Sequence, residues 1–252
     1  MRFVTFLRGG RRTLGALLDL QVVDLPALVG HPAFPSTAEA LVRRNGGTVL
    51  HAAAAALARE DAPEFVVADA HLVVPVVPGS LRSPDAPVAE RPLVGPDADL
   101  AFPAGAGALE VRPGLAAVLR RDLDGVGHGD VPDAVFGFLL LADWRVVGPD
   151  GALAPAGAAP IALGPWIATP DDFDPTTAIV RVTVDGEERL ARPLNGAASR
   201  LLRDVAGAST LQPLAAGDAF ASTLAPGGER VAPGASVEVS IDGLGALRAA
   251  VG

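Results

Sequence analysis

Residues 161–175 read I-A-L-G-P-W-I-A-T-P-D-D-F-D-P, and this block is the most informative stretch of the chain. It follows a strand-like segment, G-F-L-L-L-A-D, at residues 137–143. It precedes L-Q-P-L-A-A-G-D-A-F-A-S-T at residues 211–223 and V-E-V-S-I-D-G-L-G-A-L-R at residues 237–248. The order and spacing of these pieces decide the prediction of the fold.

The first 70 residues predict a small N-terminal α+β domain. Residues 2–7 alternate as a strand does, and residues 14–25 suggest a hairpin-like continuation after a Gly-Gly pair. Ser36, with Glu39 three residues later, predicts a capped helix that Gly46-Gly47 ends. An alanine-rich second helix is expected over residues 49–60.

Residues 71–252 predict a larger domain that is mostly β. A proline-rich segment enters it, and short strands then alternate with glycine and proline turns. Many short strands with few helices indicate a mixed β-roll or sandwich, so the fold class is α+β with β dominant. The clearest of these strands are at residues 115–119, 136–143, 179–184 and 237–241.

Composition excludes several kinds of chemistry and partner. The chain has 252 residues and a net charge of −9, and it lacks cysteine, lysine and tyrosine. Disulfides, thiolate sites, a cysteine nucleophile and a Schiff-base lysine are therefore excluded. The sequence contains no run of basic residues, which would be typical of a nucleic-acid-binding protein. No apolar stretch is long enough to span a bilayer, and the N-terminal residues do not resemble a signal peptide. We expect a cytoplasmic protein that does not bind nucleic acid or membranes.

The quoted blocks, above all Gly164-Pro165-Trp166-Ile167 and residues 213–218, resemble the fumarylacetoacetate hydrolase family. The resemblance implies a β-roll of mixed sheets in a homodimer. It also implies a bound divalent cation, typically magnesium, and the cleavage, decarboxylation or tautomerisation of small oxo acids. These properties follow from the resemblance and not from composition.

The resemblance also shows where this chain departs from the family pattern. Family members hold the metal with a Glu-x-Glu pair on one strand and an aspartate on a later one. Asp143 stands at the aspartate position, but the two glutamates fall on Arg112 and Gly114. Glu110 lies on the same strand face as Arg112. A shift in the register of this strand would bring Glu110 in as a substitute metal ligand, but one glutamate would still be missing. Magnesium normally needs several oxygen ligands, so the sequence predicts no resident cofactor, with magnesium on Asp143 and Glu110 as the alternative.

Asp143 and Arg112 are the candidate catalytic residues. Arg112 beside Asp143 would supply fixed positive charge and a bidentate fork for a carboxylate or enolate oxygen, in place of the cation. The alternative is an Arg112–Asp143 ion pair with a purely structural role. The candidate ligand-binding residues are Glu110, Trp166, Ser222 and Thr223.

Three functions are therefore considered. The first is a family member that acts on or binds a small carbonyl compound or oxo acid without the usual metal chemistry. The second is a non-catalytic binding or scaffold protein. The third is a metal-dependent hydrolase, decarboxylase or tautomerase with shifted ligands. Substrate and oligomeric state do not follow from the residues themselves.

Overall fold

The computed structural model describes residues 1–44, 47–83, 91–155, 158–224 and 227–252. The described strands form an 11-stranded sheet and a 5-stranded sheet, and this confirms the predicted mostly β, α+β class. The helices are α1 (Leu25–Val29), α2 (Ala38–Arg43), α3 (Gly47–Leu57) and α4 (Ala197–Leu211). Short 3₁₀ turns cover Ala62–Phe65, His128–Asp130 and Pro132–Ala134. No helix of the described residues is long and apolar enough to cross a membrane.

The strands are numbered along the chain. The first seven are β1 (Arg2–Arg8), β2 (Arg11–Leu18), β3 (Gln21–Asp24), β4 (Leu72–Val73), β5 (Leu81–Arg82), β6 (Leu93–Val94) and β7 (Asp97–Leu100). The long central strands are β8 (Ala108–Leu119), β9 (Val135–Val147) and β10 (Ile161–Ala168). The remainder are β11 (Ile179–Val184), β12 (Glu187–Pro193), β13 (Ala219–Thr223), β14 (Glu229–Val231), β15 (Ser236–Ile241) and β16 (Gly245–Val251).

The larger sheet joins the N-terminal strands to the later ones. Its order is β3-β2-β1-β10-β9-β8-β13-β5, with β4, β6 and β14 as side branches on β1, β10 and β8. The smaller sheet has the order β12-β11-β15-β16-β7. The antiparallel pair β8–β9, which holds the candidate site, therefore lies inside the larger sheet with a neighbour on each side. The division of the chain at residue 70 stays a prediction.

The two faces of β8 and β9 are buried by different layers. One face carries Leu115 and Leu140 and packs against the five-stranded sheet and α4. The other face carries Ala116 and Leu139 and packs against the N-terminal strands and helices. Because successive strand residues point to opposite faces, each position on β8 or β9 belongs to one of these two layers.

The start of α2 differs from the prediction by one residue. Thr37, and not Ser36, is the N-cap, and its side chain accepts a hydrogen bond from the Ala40 N–H at 3.2 Å. Both residues are good caps, so the sequence did not distinguish them. Gly47 begins α3 and does not end α2, while Gly46 lies outside the described residues.

Candidate functional site

The candidate residues of β8 and β9 lie on one face of the larger sheet. Arg112 is the direct cross-strand partner of Asp143, and Glu110 is the partner of Arg145. Directly opposed residues of an antiparallel pair project to the same side. The register therefore brings two carboxylates and two guanidinium groups together, on the face that elsewhere packs against the N-terminal helices.

Asp143 is buried and is bonded through both of its oxygens. The exposed fraction of Asp143 is 4%. Oδ1 accepts a hydrogen bond from Nη1 of Arg91 at 2.5 Å, and Oδ2 accepts one from Nε of Arg145 at 2.8 Å. The carboxylate is thus neutralised from two sides by cations of the chain itself.

Arg91 was not among the predicted site residues. Its side chain is 3% exposed, and besides Asp143 it donates to the backbone carbonyls of Ala159 (2.8 Å), Pro160 (2.9 Å) and Trp144. Its guanidinium group therefore contacts the end of β9 and the segment before β10 at the same time. A buried cation requires this degree of pairing, because an unpaired one is very costly in the interior.

Arg112 is bonded to Glu110 and not to Asp143. Its Nε donates to Glu110 Oε1 at 2.7 Å, and Arg230 approaches the other oxygen at 3.7 Å. The expected Arg112–Asp143 ion pair is therefore absent, although the two residues are opposed in register. The physical reason is competition, since Arg91 and Arg145 already occupy both oxygens of Asp143.

The position that the family resemblance assigned to the second glutamate is sterically filled. Gly114 lies opposite Leu141, and a Cβ added to Gly114 would stand 2.6 Å from Leu141 Cδ2 and 3.1 Å from the Ser222 backbone oxygen. Both distances are shorter than ordinary van der Waals contact. A glutamate at this position would require Leu141 to move.

The remaining predicted residues are less closely grouped. Thr223 is the cross-strand partner of Gly114 and shares its face, whereas Ser222 pairs with Leu115 and projects into the opposite layer. Trp166 lies at the far end of β10 from Ile161, the residue that is paired with Asp143. Its Nε1 donates to the Gly243 carbonyl at 3.0 Å.

Trp166 instead lines a separate groove of about 540 Å³ between β10 and the β15–β16 turn. The Arg2 guanidinium stands 5.6 Å from the centre of its ring, in cation–π contact. This environment is different from that of Asp143. A role for Trp166 or Ser222 in the same ligand site stays a prediction.

Comparison with known proteins identifies the family. Residues 50–252 match the family model "Fumarylacetoacetate (FAA) hydrolase C-terminal". No curated protein matches the sequence. A crystal structure of maleylpyruvate hydrolase from Sphingobium sp. SYK-6 is 25% identical with a TM-score of 0.77, and all of both chains is covered.

Two further structures extend the comparison. The same Sphingobium enzyme in complex with manganese(II) ion and pyruvate is 26% identical, with a TM-score of 0.77 and coverage of 100% of this chain and 98% of that one. Fumarylacetoacetate hydrolase from psychrophilic Exiguobacterium antarcticum is 19% identical, with a TM-score of 0.76 and coverage of 100% and 99%, and supports the fold. Because the family model matches residues 50–252, most of its length, the chain belongs to the fumarylacetoacetate hydrolase family.

Proposed function

We propose that this chain binds a small oxo acid at the β8–β9 site through arginine side chains, with no resident divalent cation. The observation that carries the proposal is that both carboxylates of the site are already bonded to guanidinium groups. Asp143 is held by Arg91 and Arg145, and Glu110 is held by Arg112. We name these five residues the strand site.

The strand site does not fit a magnesium or manganese ion. Such ions need several oxygen ligands, usually including carboxylates, at about 2.0–2.1 Å for magnesium. The site has two carboxylates and three arginines, so its own charge is positive and repels a dication. Within the described ranges, no group of three histidine, cysteine or acidic side chains is placed to hold a metal. Leu141 also fills the space in which a glutamate at position 114 would lie.

The same arginines are well suited to a carboxylate ligand. Arg112 and Arg145 each use only Nε to bond their carboxylate partner, and their terminal nitrogens have no hydrogen-bond partner among the described residues. Their side chains are 20% and 24% exposed, so each is partly open to solvent. They are diagonal neighbours across the strand pair, a spacing of about 7–8 Å between Cα atoms. Two adjacent guanidinium groups can bind a carboxylate and an adjacent carbonyl oxygen together.

Arg91 has a different part in this arrangement. Its side chain is too deeply buried to contact a ligand, and it donates hydrogen bonds to Asp143 and to three carbonyl groups. Because Arg91 neutralises the Asp143 carboxylate, Arg145 is not its sole counter-ion. Arg91 is therefore a positioning residue, and Arg112 and Arg145 are the ligand-contacting ones.

A second candidate function is a non-catalytic scaffold. The observation that favours it is that Asp143, the expected catalytic carboxylate, is buried with both oxygens occupied. In that case the ion pairs only stabilise the junction of β8 and β9. The two candidates differ in whether an oxo acid binds.

Isothermal calorimetry with pyruvate separates the candidates. We expect pyruvate to bind in the presence of EDTA, and propionate, which lacks the carbonyl oxygen, to bind more weakly. Arg112→Gln should weaken pyruvate binding roughly tenfold, the effect of losing one charge-assisted interaction. Arg189→Gln is the matched control, because Arg189 is an exposed arginine of β12 paired with Glu187.

Manganese chloride provides the opposing test. Binding of pyruvate that requires Mn²⁺, or tight binding of Mn²⁺ by the protein alone, would refute the metal-free site and favour the metal-dependent alternative. No binding of pyruvate with or without metal would refute ligand binding and leave the scaffold candidate.

A further inference from the structure

A second groove, far from β8 and β9 in the chain, lies between the β1–β2 hairpin tip and the segment that follows α1. Its volume is about 640 Å³, within the range of about 300–1,000 Å³ typical of small-molecule sites. Arg8, Arg11 and Arg12 line one wall, and His31 and Phe34 line the other. We name it the hairpin groove.

The arginines of the hairpin groove are not all neutralised. Arg8 is paired with Asp24, and Arg12 donates to Glu39 at 2.9 Å. Arg11 is exposed and has no side-chain hydrogen bond or ion pair within the described ranges. Arg11 also lies directly opposite Arg8 in the hairpin, and like charges so placed destabilise a strand pair. Asp24 also lines the groove, so Arg11 supplies its unpaired positive charge within the described ranges, in a chain of net charge −9.

The opposite wall adds a neutral donor and an apolar surface. The His31 Nδ1 accepts a hydrogen bond from the Ala33 N–H at 3.2 Å. An imidazole that accepts at Nδ1 carries its proton on Nε2, and this exposed residue has no partner for Nε2–H within the described ranges. Phe34, Pro26 and Pro32 supply the apolar part of the lining. The groove therefore offers fixed positive charge, one further N–H donor and an aromatic ring.

We propose that the hairpin groove binds a small organic anion, with its charged group on Arg11 and the outer edge of Arg8 and its apolar body against Phe34. A carboxylate and a phosphate monoester share this chemistry. The Arg11 guanidinium has its full fork of donors available, which suits bidentate binding of either group. The bound anion would also remove the Arg8–Arg11 repulsion at the hairpin tip.

The test uses the full-length chain with benzoate and phenyl phosphate as probes and inorganic phosphate as a reference. We expect one of the two aromatic anions to bind more tightly than inorganic phosphate, and the stronger of the two identifies the charged group. Arg11→Gln should weaken that binding roughly tenfold. Arg189→Gln, which removes an exposed arginine elsewhere, should leave it unchanged.

A direct readout locates the bound probe. The chain has only four histidines, so a two-dimensional ¹H–¹⁵N spectrum of the imidazoles resolves them. The Nε2 signal of His31 should move on addition of the probe, and those of the other histidines should not. Binding that survives Arg11→Gln, or that is lost in Arg112→Gln instead, would place the anion elsewhere and overturn the proposal. Aromatic anions that bind no better than inorganic phosphate would also overturn it.

Discussion

Removal of Arg91 should destabilise the protein far more than removal of Arg145, although both arginines bond the same carboxylate. Arg91 is 3% exposed and donates to Asp143 and three backbone carbonyls. Arg145 is 24% exposed and makes the single bond to Asp143 Oδ2. The comparison tests whether the internal cation is part of the folded core.

The expected magnitudes follow from burial. Arg91→Met keeps an unbranched chain but leaves a buried carboxylate with one partner and removes the Arg91 bonds to three carbonyl groups, and such a loss costs about 3–5 kcal/mol. Arg145→Met removes a partly exposed guanidinium group, and Asp143 keeps its bond to Arg91, so we expect a smaller cost of about 1 kcal/mol. Arg91→Met combined with Asp143→Asn should recover about 1–3 kcal/mol of the summed single costs, because the uncompensated charge is then gone.

Urea unfolding at neutral pH, with the slope checked for each variant, measures these free energies of unfolding. Equal costs for Arg91→Met and Arg145→Met would refute the distinction between a positioning and a ligand-contacting arginine. Additive effects of Arg91→Met and Asp143→Asn would show that the two groups do not share one charge interaction. Either result would remove the basis of the metal-free site.

The remaining predictions concern packing, capping and pH. Gly114→Glu should cost about 1–3 kcal/mol through overpacking, and adding Leu141→Ala should recover part of it, as measured by urea unfolding. Thr37→Ala should cost about 1 kcal/mol while Ser36→Ala, its adjacent control, should change stability little, and equal effects would contradict the assigned cap. Burial alone would raise the pKa of Glu39. Hydrogen bonds from the Val77 N–H and from Arg12 outweigh this effect and hold the pKa below its usual value. The stability that Glu39 contributes is therefore present above its unfolded pKa and is lost as the pH falls through the lower folded pKa. Glu39→Gln should reduce this loss of stability at acid pH. An unchanged dependence of the free energy of unfolding on pH would contradict this prediction.

The β8–β9 register could be predicted because a strand has a simple period. The family resemblance assigned the glutamate pair to the strand at residues 115–119, and counting back along that strand placed the two glutamate positions at Arg112 and Gly114. The structure pairs Arg112 with Asp143 and Gly114 with Leu141 in one continuous register. Strand alternation then fixes which of these side chains share a face.

The bonding within the site could not be predicted in the same way. Arg91 lies 52 residues before Asp143, in a proline-rich stretch with no periodicity, so no local pattern indicates that its side chain reaches β9. The register brings Arg112 and Asp143 together, but it does not decide which guanidinium each carboxylate accepts. That choice depends on the nearest competing cation, and for Asp143 this is a residue brought in by the tertiary fold. The structure therefore places Arg112 opposite Asp143 on the strand pair, as expected, but bonds Arg112 to Glu110 and not to Asp143.

The presence of Asp143 itself requires an explanation beyond stability. A buried ion pair is often no more stable than apolar residues of the same volume, so its retention is weak evidence of a stabilising role. Arg91, however, also fixes the position of β9 relative to the segment before β10. Its other donors bond the carbonyl of Trp144 on β9 and those of Ala159 and Pro160 just before β10. An apolar substitute for Asp143 would leave the Arg91 guanidinium, which bonds these three carbonyls, without its counter-ion. The carboxylate thus anchors the cation that bonds the end of β9 to the segment before β10, and in the proposed function this junction positions Arg145.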